Sequence, residues 1–158
     1  MLYTDLTKTA LRIAYDAHHG QTDKTGLPYI YHPLHLAEHI GDDEVLIAVA
    51  LLHDVVEDTN ITFDDLTARG IPKEVIAALR LLMHEDDTPY LDYVRRIKES
   101  GNETAIAVKL ADLRHNSNTR RLETLDSVAK ARNDKYQQAT AILEESSATP
   151  CRNPQPGS

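Results

Sequence analysis

The sequence has little cysteine and no long apolar run, and each scarcity excludes a class of protein. Its single cysteine, Cys151, has no partner for an internal disulfide, which favours a reducing compartment. No uninterrupted apolar stretch reaches the roughly 18 residues that a membrane span needs. The N-terminus lacks a basic segment followed by an apolar one, so no secretory signal is predicted. We therefore expect a cytoplasmic protein without a membrane partner.

Positive charge is also in short supply. Lysine and arginine total 17 against 25 acidic residues, which gives a formal net charge of −8. Proteins that bind duplex nucleic acid gain most of their affinity from clustered Lys and Arg, so that class is excluded. A small anionic substrate remains compatible if a metal ion and a few local cations offset the acidic background. The composition leaves the oligomeric state open.

Alternating apolar and polar runs, which are typical of half-buried strands, are missing as well. Apolar residues instead recur at three- and four-residue spacing over most of the 158 residues. This pattern predicts an all-α bundle of about eight helices. We expect one domain over residues 1–145 and a disordered C-terminal tail over 146–158, which is rich in Ser, Pro and Gly.

Capping and stop residues predict where these helices begin and end. Thr62 and Asp65 form a variant of the capping box, and Pro33, Pro72 and Pro89 suit the first turn of a helix. Glycines predict several of the ends. The expected helices cover about 4–19, 33–41, 44–54, 62–70, 72–83, 88–101, 102–116 and 122–144.

The segment LLHDVVEDT, residues 51–59, places acids and an imidazole at the end of the apolar run VLIAVALL. An ionised carboxylate in an apolar interior costs several kcal/mol unless it is paired, protonated or bound to a metal. Asp54 faces this cost, and so does Asp112 at the end of the largely apolar run AIAVKLAD. A divalent cation shared by the two helices would neutralise both carboxylates.

Two histidines complete the predicted metal site. His53 diverges from Asp54 by about 100° on a helix, so the shell of one ion needs ligands from other segments. His32, at the junction of a loop and the second helix, is the natural fourth ligand. Two imidazoles and two carboxylates leave coordination positions open and suit Mn²⁺ or Fe²⁺ better than a structural Zn²⁺. Glu57 and Asp58, roughly one turn further on, could orient a bound water or carry its proton.

Other interpretations remain open at this stage. A His-Asp dipeptide alone is common, and Glu57 and Asp58 could form a solvated turn. His35 and His39 have i, i+4 spacing and, with His32 one turn before them, form a rival metal pair. Spacing alone therefore predicts a metal-dependent hydrolase and no particular substrate.

Three motifs in order carry a more specific resemblance. They are HHGQTDKTGLPYIYHP at 18–33, HDVVEDT at 53–59 and KLADLRHN at 109–116. Together they resemble the HD-superfamily hydrolase domain of RelA/SpoT-type proteins, in the form of the small stand-alone alarmone hydrolases, over about residues 4–145. The resemblance implies an HD-domain helical bundle, one Mn²⁺ ion and removal of the 3′-pyrophosphate from guanosine tetra- or pentaphosphate. It leaves no room for a synthetase domain, so we expect hydrolysis only.

The resemblance also implies a role for individual positions. A lysine among the nucleotide contacts makes physical sense, because its ammonium is a compact charge facing a polyphosphate. The implied metal ligands are His32, His53, Asp54 and Asp112, the catalytic acids are Glu57 and Asp58, and the nucleotide contacts are Lys24, Asn116 and Thr119.

One departure from the family pattern concerns the substrate. Asp23 precedes Lys24 where many alarmone hydrolases have an arginine that packs against guanine. An aspartate offers no cation to stack on a base. Two alternatives therefore stay open: an HD phosphohydrolase acting on another nucleotide or a 3′-phosphorylated cofactor, and a non-catalytic HD module that binds a nucleotide. The presence of Glu57 and Asp58 disfavours the second, because a binding module needs no proton carrier.

Overall fold

A computed structural model of the chain describes residues 1–117 and 127–145, and these residues form nine helices and no strand. The all-α prediction is confirmed. The one helix beyond the eight expected is α4, which has a single turn. The helices are α1 (Asp5–Ala17), α2 (Tyr31–His39), α3 (Glu44–Leu52), α4 (Val55–Asp58), α5 (Phe63–Ala68), α6 (Lys73–Leu82), α7 (Tyr90–Ser100), α8 (Glu103–Ser117) and α9 (Ser127–Glu144).

Helix α3 lies at the centre of the bundle because its sequence, EVLIAVALL, is apolar on every side. Residues 47–52 are fully buried. The helix packs against α1, α2, α6 and α8, while α9 packs on α7 and α8. The polar residues that follow α3 therefore emerge inside the bundle rather than on its surface.

Side-chain caps begin several of the helices, and the cap at Thr62 was predicted. Thr62 Oγ1 accepts a hydrogen bond from Asp65 N, and the Asp65 carboxylate accepts one from Thr62 N, which completes a capping box. Asp43 caps α3 by accepting from Leu46 N at 2.9 Å. Gly101 ends α7 at a φ of +67°, a conformation that residues with a side chain rarely adopt.

Helix α2 begins at Tyr31, two residues before its predicted start at Pro33. Proline has no N–H, but the first N–H groups of a helix have no acceptor within it, so Pro33 fits the first turn without losing a bond. Helix α3 also ends earlier than predicted, at Leu52. His53 and Asp54 thus lie at the junction of α3 and α4 instead of inside one continuous helix.

Within the ranges that the structure covers, no helix combines the length and apolar character needed to cross a membrane. The predicted start of the last helix near residue 122 and the predicted tail, 146–158, lie outside the described residues.

Candidate metal centre and active site

The four side chains predicted as metal ligands meet at one point of the bundle. His32 comes from the start of α2, His53 and Asp54 from the junction of α3 and α4, and Asp112 from α8. The Nε2 atom of His32 is 3.1 Å from Asp112 Oδ1 and 3.8 Å from Asp54 Oδ2. The Nε2 atom of His53 is 2.9 Å from Asp54 Oδ2 and 3.8 Å from Asp112 Oδ1. The ligand atoms therefore enclose one small volume, as a shared ion requires.

The ring of His53 turns one nitrogen toward the cluster and the other toward the backbone of α3. Its Nδ1 lies 2.7 Å from the Ala50 carbonyl oxygen, and because a carbonyl only accepts, the proton is on Nδ1. Its Nε2 is buried and makes no hydrogen bond, and Asp54 Oδ2 lies 2.9 Å away. A buried lone pair of this kind fits a cation, and the mixed nitrogen and oxygen donors fit a divalent ion such as Mn²⁺.

His115 supports His32 from the side opposite the carboxylates. The Nδ1 atoms of the two rings are 2.6 Å apart, and the rings stack with centroids separated by 4.8 Å. One Nδ1 must donate and the other accept. When His32 presents its Nε2 lone pair to an ion, its Nδ1–H is the donor, which is the usual outer-shell arrangement of a ligating histidine.

The rival pair, His35 and His39, lies beyond His115 and outside this cluster. The two rings have centroids 4.3 Å apart, and His35 is 4.5 Å from the His115 ring. Among the described residues, the group whose ligand atoms all lie within 4.8 Å of one another is His32, His53 and Asp54. The i, i+4 spacing therefore does not add ligands to the metal centre.

Lys109 and Asn116 hold Asp112 from its own helix. Lys109 Nζ is 2.9 Å from Oδ2 of the carboxylate, and Asn116 Nδ2 donates to Oδ1 at 2.8 Å. Both lie on the Asp112 face of α8, three residues before it and four after it. Burial opposes ionisation of Asp112, but Lys109 and the nearby histidines hold its pKa well below the ordinary value. The carboxylate is therefore available to a cation.

His53 and Asp54 have opposite pKa shifts. Burial disfavours the charged form of each. The neighbouring imidazole overcomes this effect and lowers the pKa of Asp54, while Asp54 and Asp112 raise the pKa of His53 well above its ordinary value. Two buried carboxylates thus stay ionised only with positive charge beside them. Lys109 supplies it to Asp112, and a proton on His53 or a divalent ion would supply it to Asp54.

Glu57 and Asp58 lie on α4, one turn beyond Asp54, in the wall of a cavity of about 210 Å³. Lys109 and Asp112 line the same cavity. Both acidic side chains reach solvent, yet partial removal of water raises the pKa of each, and Asp54 adds repulsion. A carboxylate with a raised pKa is a better proton acceptor, which suits the role predicted for this pair.

A larger cavity of about 520 Å³ shares Asp54 and Asp112 with the smaller one, so the ligand cluster lines both. Two predicted nucleotide contacts, Lys24 and Asn116, line this larger cavity. The third, Thr119, lies outside the described residues.

Asp23, which replaces an arginine of the family pattern, is engaged in its own loop. Its Oδ1 accepts from Thr25 Oγ1 at 2.7 Å, from Thr25 N at 2.8 Å and from Leu27 N at 3.0 Å. The bond from the Thr25 hydroxyl is the largest contribution to the lowered pKa of Asp23. The carboxylate therefore closes the loop that carries Lys24 to the cavity.

Comparison with known proteins connects the chain to alarmone enzymes of bacteria and plants. It is 36% identical over 125 residues to the bifunctional (p)ppGpp synthase/hydrolase SpoT of Escherichia coli, covering 71% of this chain and 18% of that protein. It is 33% identical over 131 residues to a probable guanosine-3′,5′-bis(diphosphate) 3′-pyrophosphohydrolase of Synechocystis, covering 76% and 17%. A putative GTP diphosphokinase, RSH1 of Arabidopsis thaliana, is 36% identical over 113 residues, covering 70% and 12%. The chain thus spans less than a fifth of these relatives, and no family model matches it.

The fold has a counterpart among solved structures. A metazoan protein described as an ortholog of SpoT that hydrolyses ppGpp superposes with a TM-score of 0.72 at 23% identity, covering 91% of this chain and 88% of that one. The chain therefore resembles RelA/SpoT-type proteins in sequence over most of its length and shares the fold of this SpoT ortholog. The predicted resemblance and the HD-domain helical bundle are therefore confirmed.

Several contacts of this site were not predicted. The Tyr29 hydroxyl donates to Asp54 Oδ2, and Lys109 and His115 contact ligands as described above. The spacing of Lys109, three residues before Asp112 on one helix, could have indicated that pair. Arg132 and Tyr136 of α9 line the larger cavity, and no local pattern indicates this because it depends on how α9 packs.

Proposed function

We propose that the chain is a divalent-metal-dependent phosphohydrolase that removes the 3′-pyrophosphate from guanosine tetra- or pentaphosphate. One observation carries this proposal: four ligands from three separate segments converge beside an acidic pair, on the wall of a cavity that Lys24 lines. The relatives support it because their names describe synthesis or hydrolysis of guanosine polyphosphates. Mn²⁺ is the proposed metal, and Fe²⁺ is the next choice for the same donor set.

The residues of the larger cavity would bind the nucleotide. Lys24 places an ammonium group against phosphate, and Arg132 adds a second cation from α9. Tyr136 offers an aromatic face for a base in the same cavity. Asn116 lines the cavity and also holds Asp112, so it connects the nucleotide to the metal ligand. Thr119 is proposed as a further contact on the resemblance alone.

The residues of the smaller cavity would manage water. His32, His53, Asp54 and Asp112 would hold a divalent ion, which when bound lowers the pKa of water and offsets phosphate charge. Glu57 and Asp58 orient the attacking water and accept its proton. A bond forms from the water oxygen to phosphorus, the bond from phosphorus to the ribose 3′-oxygen breaks, and that oxygen takes up a proton.

Some relatives are named for synthesis and others for hydrolysis, and the geometry favours hydrolysis. An acidic pair with raised pKa values in a polar cavity suits the removal of a proton from water. The buried pair of carboxylates beside two imidazoles also needs a cation at the point where the two cavities meet.

The test is incubation of the purified protein with Mn²⁺ and guanosine tetraphosphate, with pyrophosphate release as the measured quantity. The double variant Glu57→Gln/Asp58→Asn should lose turnover and retain Mn²⁺ binding. Glu85→Gln/Asp86→Asn makes the same change in an exposed Glu-Asp pair that lines neither cavity and should keep full activity. Absence of pyrophosphate release from the wild-type protein would remove this substrate assignment.

Asp23 favours a second candidate, hydrolysis of another nucleotide or a 3′-phosphorylated cofactor. It lines the cavity where an arginine would offer a cation to guanine, and its bonds to Thr25 and Leu27 keep it there. A panel of nucleotides assayed under the same conditions distinguishes the two. Turnover of guanosine tetraphosphate far above all other substrates would reject the second candidate.

A further inference from the structure

Helix α4 carries the proposed catalytic acids but is too short to hold its own position. It has four residues, Val55–Asp58, and no side chain caps its N-terminus. Isolated helices shorter than about 12 residues are marginal in water, because one turn fixes many dihedral angles for few hydrogen bonds. The direction of Glu57 and Asp58 therefore depends on contacts that other parts of the chain make with α4.

Both ends of α4 receive a hydrogen bond from the loop between α1 and α2. At the N-terminal end, the Tyr29 hydroxyl donates to the carboxylate of Asp54, the residue that precedes the helix. At the C-terminal end, Gln21 Nε2 donates to the carbonyl oxygen of Asp58, the last helical residue, at 3.2 Å. Tyr29 N also donates to Gln21 O at 2.9 Å, so the two residues are fixed relative to each other.

His18 determines which way the Gln21 amide points. This histidine is 2% exposed, and its Nδ1 lies 2.9 Å from Gln21 Oε1. An amide oxygen only accepts, so His18 Nδ1 carries the proton and Gln21 Nε2 is left facing Asp58 O. The opposite amide orientation would set two oxygens against each other at Asp58. The His18 ring also packs on the Tyr29 ring with centroids 4.8 Å apart, so one buried imidazole supports both donors.

We propose that His18, Gln21 and Tyr29 form a positioning clamp that fixes α4 at both ends. Tyr29 holds Asp54 in the direction of the metal ion, and Gln21 holds the end of the helix that bears the acidic pair. This inference rests on the proposed function, and it gives a physical role to three residues of the motif at 18–33. The loop that presents Lys24 to the nucleotide then also sets the position of the groups that handle water.

Substitutions at the two ends of the clamp should have different effects: a change of Gln21 should lower kcat, and a change of Tyr29 should weaken Mn²⁺ binding. Gln21→Glu keeps the shape of the side chain but replaces the donor with an oxygen facing Asp58 O. We expect kcat to fall about tenfold to a hundredfold, because a displaced catalytic group costs rate rather than affinity. The KM for the nucleotide and the Mn²⁺ dissociation constant should stay within about twofold of wild type.

Tyr29→Phe keeps the ring that packs on His18 and removes only the hydroxyl. Loss of an outer-shell hydrogen bond weakens metal binding about 10- to 100-fold, and this is the expected change in the Mn²⁺ dissociation constant. Mn²⁺ titration measures it without any substrate. Tyr29→Phe therefore tests the clamp even if guanosine tetraphosphate proves to be the wrong substrate, and failure of wild-type turnover alone identifies failure of the proposed function.

Matched controls come from exposed residues of the same types. Gln138→Glu on α9 and Tyr15→Phe on α1 make the same chemical changes at solvent-exposed positions and should match wild type in kcat, KM and Mn²⁺ affinity. Thermal melting shows whether each variant folds. If Gln21→Glu does not fold, Gln21→Ala removes the donor without adding charge and should show the same fall in kcat.

Two results would overturn the clamp. Wild-type Mn²⁺ affinity in Tyr29→Phe would show that the hydroxyl does not position Asp54. A raised KM with unchanged kcat in a folded Gln21 variant would make Gln21 a nucleotide contact instead of a positioning residue.

Discussion

Lys109 and Asp112 form a buried ion pair, and substitutions of the two residues should have different effects on metal binding. Asp112 is 7% exposed, the Lys109 side chain is 13% exposed, and the charged atoms are 2.9 Å apart. Asp112→Asn and Lys109→Met both break this pair, but only Asp112→Asn also removes a proposed metal ligand. The comparison therefore separates the metal role of Asp112 from its part in the fold.

The structure allows an estimate of two quantities: the stability lost when the ion pair is broken, and the stability gained when Mn²⁺ binds. Removal of one partner from a buried pair costs about 3–5 kcal/mol, and the lower end applies because Asn116 and the histidines still contact the cluster. For a chain of 158 residues, this loss corresponds to a fall in melting temperature of about 6–12 °C. Mn²⁺ at about 100 times its dissociation constant adds about 2.7 kcal/mol, which raises the melting temperature by about 5–11 °C.

Thermal melting with a chelator and with excess Mn²⁺ measures these quantities. We expect both variants to melt well below wild type in the chelator. Lys109→Met should keep the rise on adding Mn²⁺, whereas Asp112→Asn should lose it. The reasoning is wrong if Asp112→Asn keeps the full rise, or if Lys109→Met loses it as completely as Asp112→Asn.

Three further predictions concern the nucleotide loop and the fold. Lys24→Met should raise the KM for guanosine tetraphosphate about tenfold or more, because a charge-assisted contact to phosphate is lost, and an unchanged KM would contradict its role. Thr62→Ala should lose about 1 kcal/mol of stability with the capping box, seen as a melting temperature about 2–4 °C lower with activity retained. Folding lowers the pKa of Asp23, so its charge contributes stability above the unfolded pKa and loses that contribution as pH falls through the folded value. Asp23→Asn should therefore melt below wild type at neutral pH, and the difference should shrink as the pH falls through the folded pKa of Asp23, whereas a constant difference would reject this cause.

Capping residues and helix-ending glycines predicted most of the helices, because each of these signals depends only on a few neighbouring residues. The capping box at Thr62 and the glycine end at Gly101 depend on neighbouring backbone groups, and both stand where predicted. The end of α3 was predicted at residue 54, two residues late, and the single turn of α4 was not predicted. At this junction Asp54 accepts a hydrogen bond from Tyr29, a contact with another segment that no spacing within residues 44–58 reveals.

The convergence of the four proposed ligands could be predicted because charge in an apolar setting demands compensation. Asp54 and Asp112 each close an apolar run of the sequence, and the structure brings them together with His32 and His53. The residues that hydrogen-bond to these side chains are harder to predict from the sequence. Tyr29 reaches Asp54 across 25 positions of sequence, a contact that depends on how the loop folds onto α4.

The proposed metal ligands His32 and Asp112 are 80 positions apart in the chain, and a cation bound between them would join α2 to α8. Such an ion acts as a removable cross-link between an early and a late part of the polypeptide. Because the four ligands come together only in the folded chain, the free energy of binding the ion would add to the stability of the folded state. Metal supply would then govern how long each molecule survives as well as how fast it works.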